Sequence, residues 1–184
     1  MDPTAAQVVD DTRRWLERAV IGLNLCPFAK SVHVKGQVHY AVTDATGWND
    51  LLADLEREVD DLLAHDIAQR ETTLLVMPRA LPDFFEFNGF LDEANRLIAR
   101  RELEGTIQLA NFHPGYQFAG TEADDITNFT NRAPYPTLHL LREDSIARAV
   151  QAFPEAEAIY ETNMTTMQRL GRDGWARLMA KDGE

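Results

Sequence analysis

The sequence predicts one α/β domain over residues 1–184, a mostly parallel sheet of about four to five strands flanked by helices in a single-domain sandwich. Three observations carry that expectation. The 184 residues, 45% of them apolar, stand near the size at which one hydrophobic core suffices. Segments with apolar residues at helical spacing alternate with short apolar runs of strand character. Pro and Gly fall between these segments as punctuation, and no repeat, low-complexity tract or linker divides the chain.

The first helix starts near Pro3 with Asp2 as cap, and Val8, Thr12, Trp15, Leu16, Ala19, Val20 and Leu23 recur at helical spacing to form one buried face. It stops between Gly22 and Pro27. A strand follows from Val38 to Thr43, then a helix from Trp48 to His65 with Leu51, Leu52, Leu55, Val59, Leu62 and Leu63 on its apolar face and a solvated run of Asp, Glu and Arg opposite. Thr72 to Met77, ended by Pro78, reads as a strand covered on both faces. Asp83, with Glu86 three residues on, opens a third helix whose stripe Leu91, Ala94, Leu97 and Ile98 continues toward Gly105. Arg96, Arg100 and Arg101 complement the carbonyls at its end.

Thr106 to Phe112 is the next strand. After it come a Gly-, Pro- and Asn-rich connection with a helical turn from Ala123 to Thr130, a strand from Thr137 to Leu141, and helices from Ser145 to Phe153 and from Glu155 to Leu170. The alternation of strands and helices implies crossover connections and hence the parallel sheet. Phe84, Phe85, Phe87 and Phe90, like Met164 and Met167, have the spacing of core residues.

Bulk properties bound the function. The net charge of -12 disfavours nucleic acid and anionic lipid, whose phosphates call for clustered Lys and Arg. No apolar stretch approaches the roughly 18 residues of a membrane helix, and Met1-Asp2-Pro3-Thr4 does not open a signal segment. Together with the lone Cys26, which cannot form an intrachain disulfide, this places the protein in the cytoplasm. Phosphate-binding loops, Gly-x-Gly-x-x-Gly turns and Gly-x-Ser-x-Gly elbows are missing. The sequence names no cofactor and fixes no oligomeric state.

Leu23-Asn24-Leu25-Cys26-Pro27-Phe28-Ala29, Asn111-Phe112-His113-Pro114-Gly115-Tyr116-Gln117-Phe118 and Asn131-Arg132-Ala133-Pro134-Tyr135-Pro136-Thr137-Leu138-His139-Leu140-Leu141-Arg142 together resemble an uncharacterised bacterial family, domain of unknown function 1415. The resemblance covers nearly the whole chain and implies a compact bacterial protein. It brings no catalytic residue, so the chemistry rests on the side chains themselves.

In a parallel sheet ligands bind beyond the carboxyl ends of the strands, which here are Thr43-Asp44, Pro78-Arg79 and Asn111 to Gly115. An antiparallel fourth strand would bring Asn131, Arg132 and Tyr135 to the same edge. His113, Arg79, Arg132, Asn128, Asn131 and Asp44 then surround one cleft. Arg132 can grip a carboxylate or phosphate, with Asn131, Asn128, Arg79 and Tyr135 as further substrate-binding groups, while the His113 imidazole moves a proton. This describes an enzyme acting on a small anionic substrate. The alternatives are a non-catalytic metabolite- or metal-binding module and a protein-interaction domain. Arg132 could instead pair with Glu122, Asp124 or Asp125, and His113 could bond a loop carbonyl.

Cys26 is a second catalytic candidate, as cap of a short helix with Pro27 in its first turn and Lys30 one turn on, a setting that stabilises a thiolate; the alternative is a buried, inert thiol. No second cysteine follows it, since Ala29 holds that position. For metals, His113 with Glu122 or Asp125 and His139 with Glu143 offer ligands, but no His-Glu-x-x-His spacing occurs, and no metal is assigned. His139, alternating with Leu138 and Leu140, points across the sheet. His33 and His39 read as surface residues, and His65 as a helix-end cap.

Overall fold

The computed structural model describes residues 2–153, 155 and 158–180. Helix α1 spans Ala5–Trp15 and runs on into a π-helical stretch, Leu16–Ile21, followed by α2, Ala29–Val34. Then come β1 Val38–Val42, α3 Trp48–Ala64, β2 Thr72–Val76, α4 Phe84–Arg100, β3 Ile107–Phe112, a 3-10 helix Ile126–Asn131, β4 Thr137–Arg142, α5 Glu143–Ala152 and α6 Ala158–Met179. The expected start of the last helix near Glu155 borders positions 154, 156 and 157, which lie outside the described residues. Gly171, with φ 66° and ψ 175°, breaks α6, a conformation that favours glycine.

The sheet has four strands in the order β1-β2-β4-β3. β1 and β2 pair in parallel, but β4 lies antiparallel to both β2 and β3. The expectation of a mostly parallel sheet is therefore corrected: three strands point the same way, yet the fourth is inserted between two of them. The cause is the connection from residue 113 to 136. It contains a 3-10 helix and no crossover helix that could carry the chain back to the starting edge, so β4 must return antiparallel. A fifth strand is not found among the described residues.

The two faces of the sheet bury different helices. On one, Ala41, Leu75, Leu138, Leu140 and Ile107 meet Leu51, Leu55, Val59 and Leu62 of α3 and Phe87, Phe90, Ala94, Leu97 and Ile98 of α4. Each such fully buried Leu or Phe is worth about 2 kcal/mol of transfer free energy, so this face is the main core. The period-2 alternation sends Leu74, Val76, Val38 and Tyr40 to the opposite face, where α1 and its π-helical extension pack. All five residues of β2 are buried, as its unbroken apolar run requires.

Three local expectations change. Thr4, not Asp2, caps α1: its hydroxyl accepts the Gln7 amide and the Gln7 side chain answers the Thr4 amide, a capping box. Glu58 is buried within the otherwise solvated face of α3. Phe85 is 80% exposed, whereas Phe87 and Phe90 are buried. Asp83 does cap α4, accepting the Glu86 amide at 2.9 Å. No helix among the described residues is long and apolar enough to cross a membrane.

Candidate functional site

The 113–136 connection and the β2–α4 loop gather most of the polar residues singled out above. His113 directly follows β3 on the α3/α4 face, 1% exposed, against the rings of Phe84 and Phe87. Its Nδ1 accepts the Gly115 amide at 2.9 Å, so Nε2 carries the proton and donates to the Leu81 carbonyl at 2.9 Å. Burial lowers its pKa, with the Leu81 bond opposing. Both nitrogens are engaged, and Leu81 is held at a positive φ of 55°.

Asn128, fully buried, organises the connection. Its Oδ1 accepts from the Phe118 amide at 2.9 Å and the Thr121 hydroxyl at 2.8 Å, and its Nδ2 donates to the Glu122 carbonyl at 2.8 Å. Asn131 accepts the His113 amide through its carbonyl at 3.2 Å. Arg132 lies over the Phe129 ring at 4.2 Å and donates to the carbonyls of Tyr116 (3.2 Å) and Ala123 (2.6 Å), rather than to Glu122, Asp124 or Asp125. It also borders a groove of about 360 Å³ with Arg14, Trp15 and Trp175.

Tyr135 leaves this group. Its hydroxyl donates to Asp11 of α1 at 2.9 Å, and burial together with that carboxylate pushes its pKa up to about 12. Arg79 ion-pairs with Asp44 at 3.5 Å and Asp2 at 3.7 Å near the exposed end of β2. His113, Asn128, Asn131 and Arg132 thus share one connection, whereas Tyr135 and Arg79 find acidic partners elsewhere.

Cys26 sits across the sheet from His113's face. The short helix after it begins at Ala29 with Phe28 as N-cap, so the thiol does not cap it; the Cys26 carbonyl instead accepts the Ala29 amide in the preceding turn. The half-buried side chain lines a cavity of about 370 Å³. The floor of this cavity is the second sheet face, with Val38, Leu74, Ala110 and Phe112. Its walls are Trp15, Leu16 and Val20, then Phe28 with Ala29 and Val32 of α2, and its roof is Ile146, Ala149 and Val150 of α5.

One imidazole interrupts the apolar lining. Register places His139 of β4 opposite Leu74 of β2 and Ala110 of β3, two residues that share the cavity. Its Nε2 lies 2.6 Å from Thr72 Oγ1, and that hydroxyl lies 2.7 Å from the Leu140 carbonyl. Thr72 has a single proton, which goes to the carbonyl, so Nε2–H donates to Thr72 and Nδ1 keeps its lone pair. Among the described residues Nδ1 has no partner. The ring retains accessible surface because it faces the cavity, but it is otherwise enclosed, and that burial pushes its pKa down to about 4. His139 is neutral at pH 7.

The rim is polar. Glu71 lies 3.8 Å from Arg148, whose guanidinium also donates to Ser145 Oγ at 3.0 Å. Phe28 of the cavity wall packs edge-on against Phe153 beyond α5, 5.9 Å between centroids. Among the described residues no group of three or more His, Cys, Asp or Glu side chains is close enough to hold a metal.

A family model described as a protein of unknown function, DUF1415, matches residues 7–177. The chain belongs to the DUF1415 family. That match spans both the 113–136 connection and every element around the cavity. No curated protein and no solved structure matches the chain. The cavity residues of this DUF1415 member were only partly visible in its sequence. The alternation of Leu138, His139 and Leu140 did set His139 apart from the main core, and the Cys26–Lys30 segment did announce a short helix, although it starts at Ala29 rather than at Cys26; the roof depends on where α5 lies.

Proposed function

We propose that this DUF1415 protein binds a small, largely apolar molecule in the cavity beneath α5, as a binding module. One observation carries the reading: about 370 Å³ of space with mainly apolar walls presents, among the described residues, an imidazole whose Nδ1 acceptor is unused. That volume falls within the roughly 300–1,000 Å³ of small-molecule sites, and apolar walls with a few placed polar groups are their usual chemistry. α5 contributes no fully buried side chain, so lifting it to admit a ligand sacrifices little packing.

Binding is favoured over turnover because His113, the acid/base candidate, has both nitrogens bonded to backbone. Arg132 supports the second reading, an anionic small molecule in the groove it shares with Arg14, although two of its donors already hold carbonyls.

The test of the cavity is a filling substitution. Propylbenzene at a hundredfold excess over its Kd stabilises a native state by about 2.7 kcal/mol, a clear rise in thermal midpoint. Ala149→Phe, which projects a ring from the roof, is expected to stay folded and lose that rise. If no apolar compound raises the midpoint of the wild type, or if Ala149→Phe responds equally, the cavity is not the site.

A further inference from the structure

We infer that the cavity takes an uncharged ligand carrying one hydrogen-bond donor, the hydroxyl of an alcohol or phenol, which donates to Nδ1 of His139. The inference rests on the cavity reading above and adds the chemical class of the occupant. It follows from a chain of proton positions. The Leu140 carbonyl can only accept, so Thr72 must donate to it; Thr72 then accepts, so Nε2 must donate; Nδ1 is left as an acceptor. β4 and β2 fix this sequence of bonds through their register, and the ligand meets a polarity already set.

The rest of the lining excludes ions. Among the described residues no Lys or Arg side chain lines the cavity, so a carboxylate or phosphate would enter without a counter-charge. Glu71, the one charged residue among the described lining residues, would repel an anion, and it is already matched by Arg148 at the rim, so an ammonium gains little from it. Ser145 is likewise answered by Arg148. What remains inside is a neutral imidazole acceptor in an apolar wall, and the complementary molecule is apolar with one O–H.

The experiment compares four ligands of one shape on the full chain by calorimetry: propylbenzene, para-propylphenol, para-propylbenzoate and para-propylbenzylammonium. In the wild type the phenol is expected to bind about fivefold tighter than propylbenzene, the net gain of one buried neutral hydrogen bond, and both charged analogues at least about tenfold weaker than the phenol. In His139→Phe the phenol should lose its advantage while propylbenzene still binds. As a readout on the unaltered protein, the ¹⁵N resonance of His139 Nδ1 should shift upfield on adding the phenol and stay unmoved with propylbenzene. If propylbenzene binds as tightly as the phenol, or a charged analogue binds best, the cavity stands and the inference falls. If none of the four binds, the cavity reading fails and takes the inference with it.

Discussion

His139 makes a pH-dependent prediction whose size follows from its position. In the unfolded chain its imidazole titrates near 6.5, whereas in the fold burial holds the value at about 4. Between those pH values the unfolded state binds a proton that the native state refuses, so stability falls as pH drops. The sign is that of a depressed histidine: nothing is lost above 6.5, and the loss is complete below about 4. At about 1.4 kcal/mol per pH unit, the native state loses roughly 3 kcal/mol to this one residue. The assay is urea unfolding of the wild type and of His139→Gln at pH 7, 5.5 and 4.5. His113 and His39 also have lowered pKa values through burial, but they titrate in both proteins and cancel in the difference. The wild type should lose about 2 kcal/mol more than His139→Gln between pH 7 and pH 4.5. Parallel curves would mean that the ring is wetted, and the apolar surroundings inferred for it would go with it.

Two further substitutions separate structural from chemical roles. His113→Phe preserves the aromatic packing but leaves the Leu81 carbonyl and the Gly115 amide unpaired, so it should destabilise the protein by about 2–4 kcal/mol in urea; a loss under about 0.5 kcal/mol would release His113 for acid/base chemistry. Arg132→Ala removes donors to Tyr116 and Ala123 and should loosen the 113–136 connection, read as faster limited proteolysis, while leaving the thermal midpoint in phosphorylated or carboxylated metabolites unmoved; a midpoint rise in the wild type that vanishes in Arg132→Ala would instead establish the anionic ligand.

The order of elements was legible in the sequence because helix and strand periodicities are local. Leu51, Leu55, Val59 and Leu62 mark a helix face, and the uninterrupted Thr72–Val76 run marks a strand buried on both sides, whatever the rest of the chain does. Even the Asp83 cap needs only its neighbours three residues on. Strand direction was not legible, since it depends on whether the 113–136 connection crosses the sheet or folds back upon its end.

The candidate residues divide in the same way. Sequence alone marked His113, Asn128 and Arg132 as polar groups in one connection, and they do lie in it, but polar type cannot distinguish a side chain offered to a ligand from one that holds the loop's own amides and carbonyls. Only the tertiary structure decided that Asn128 satisfies an amide, a hydroxyl and a carbonyl of the connection and that Arg132 clamps two carbonyls. The cavity was more hidden still. Its floor comes from four strands, its walls from α1 and α2, and its roof from α5, so no window of sequence contains it. The sequence by itself determined that His139 would face away from Leu138 and Leu140, because alternation along a strand is obligatory. That it faces a cavity, with Thr72 directing its proton, was decided by the packing of helices that meet only in three dimensions.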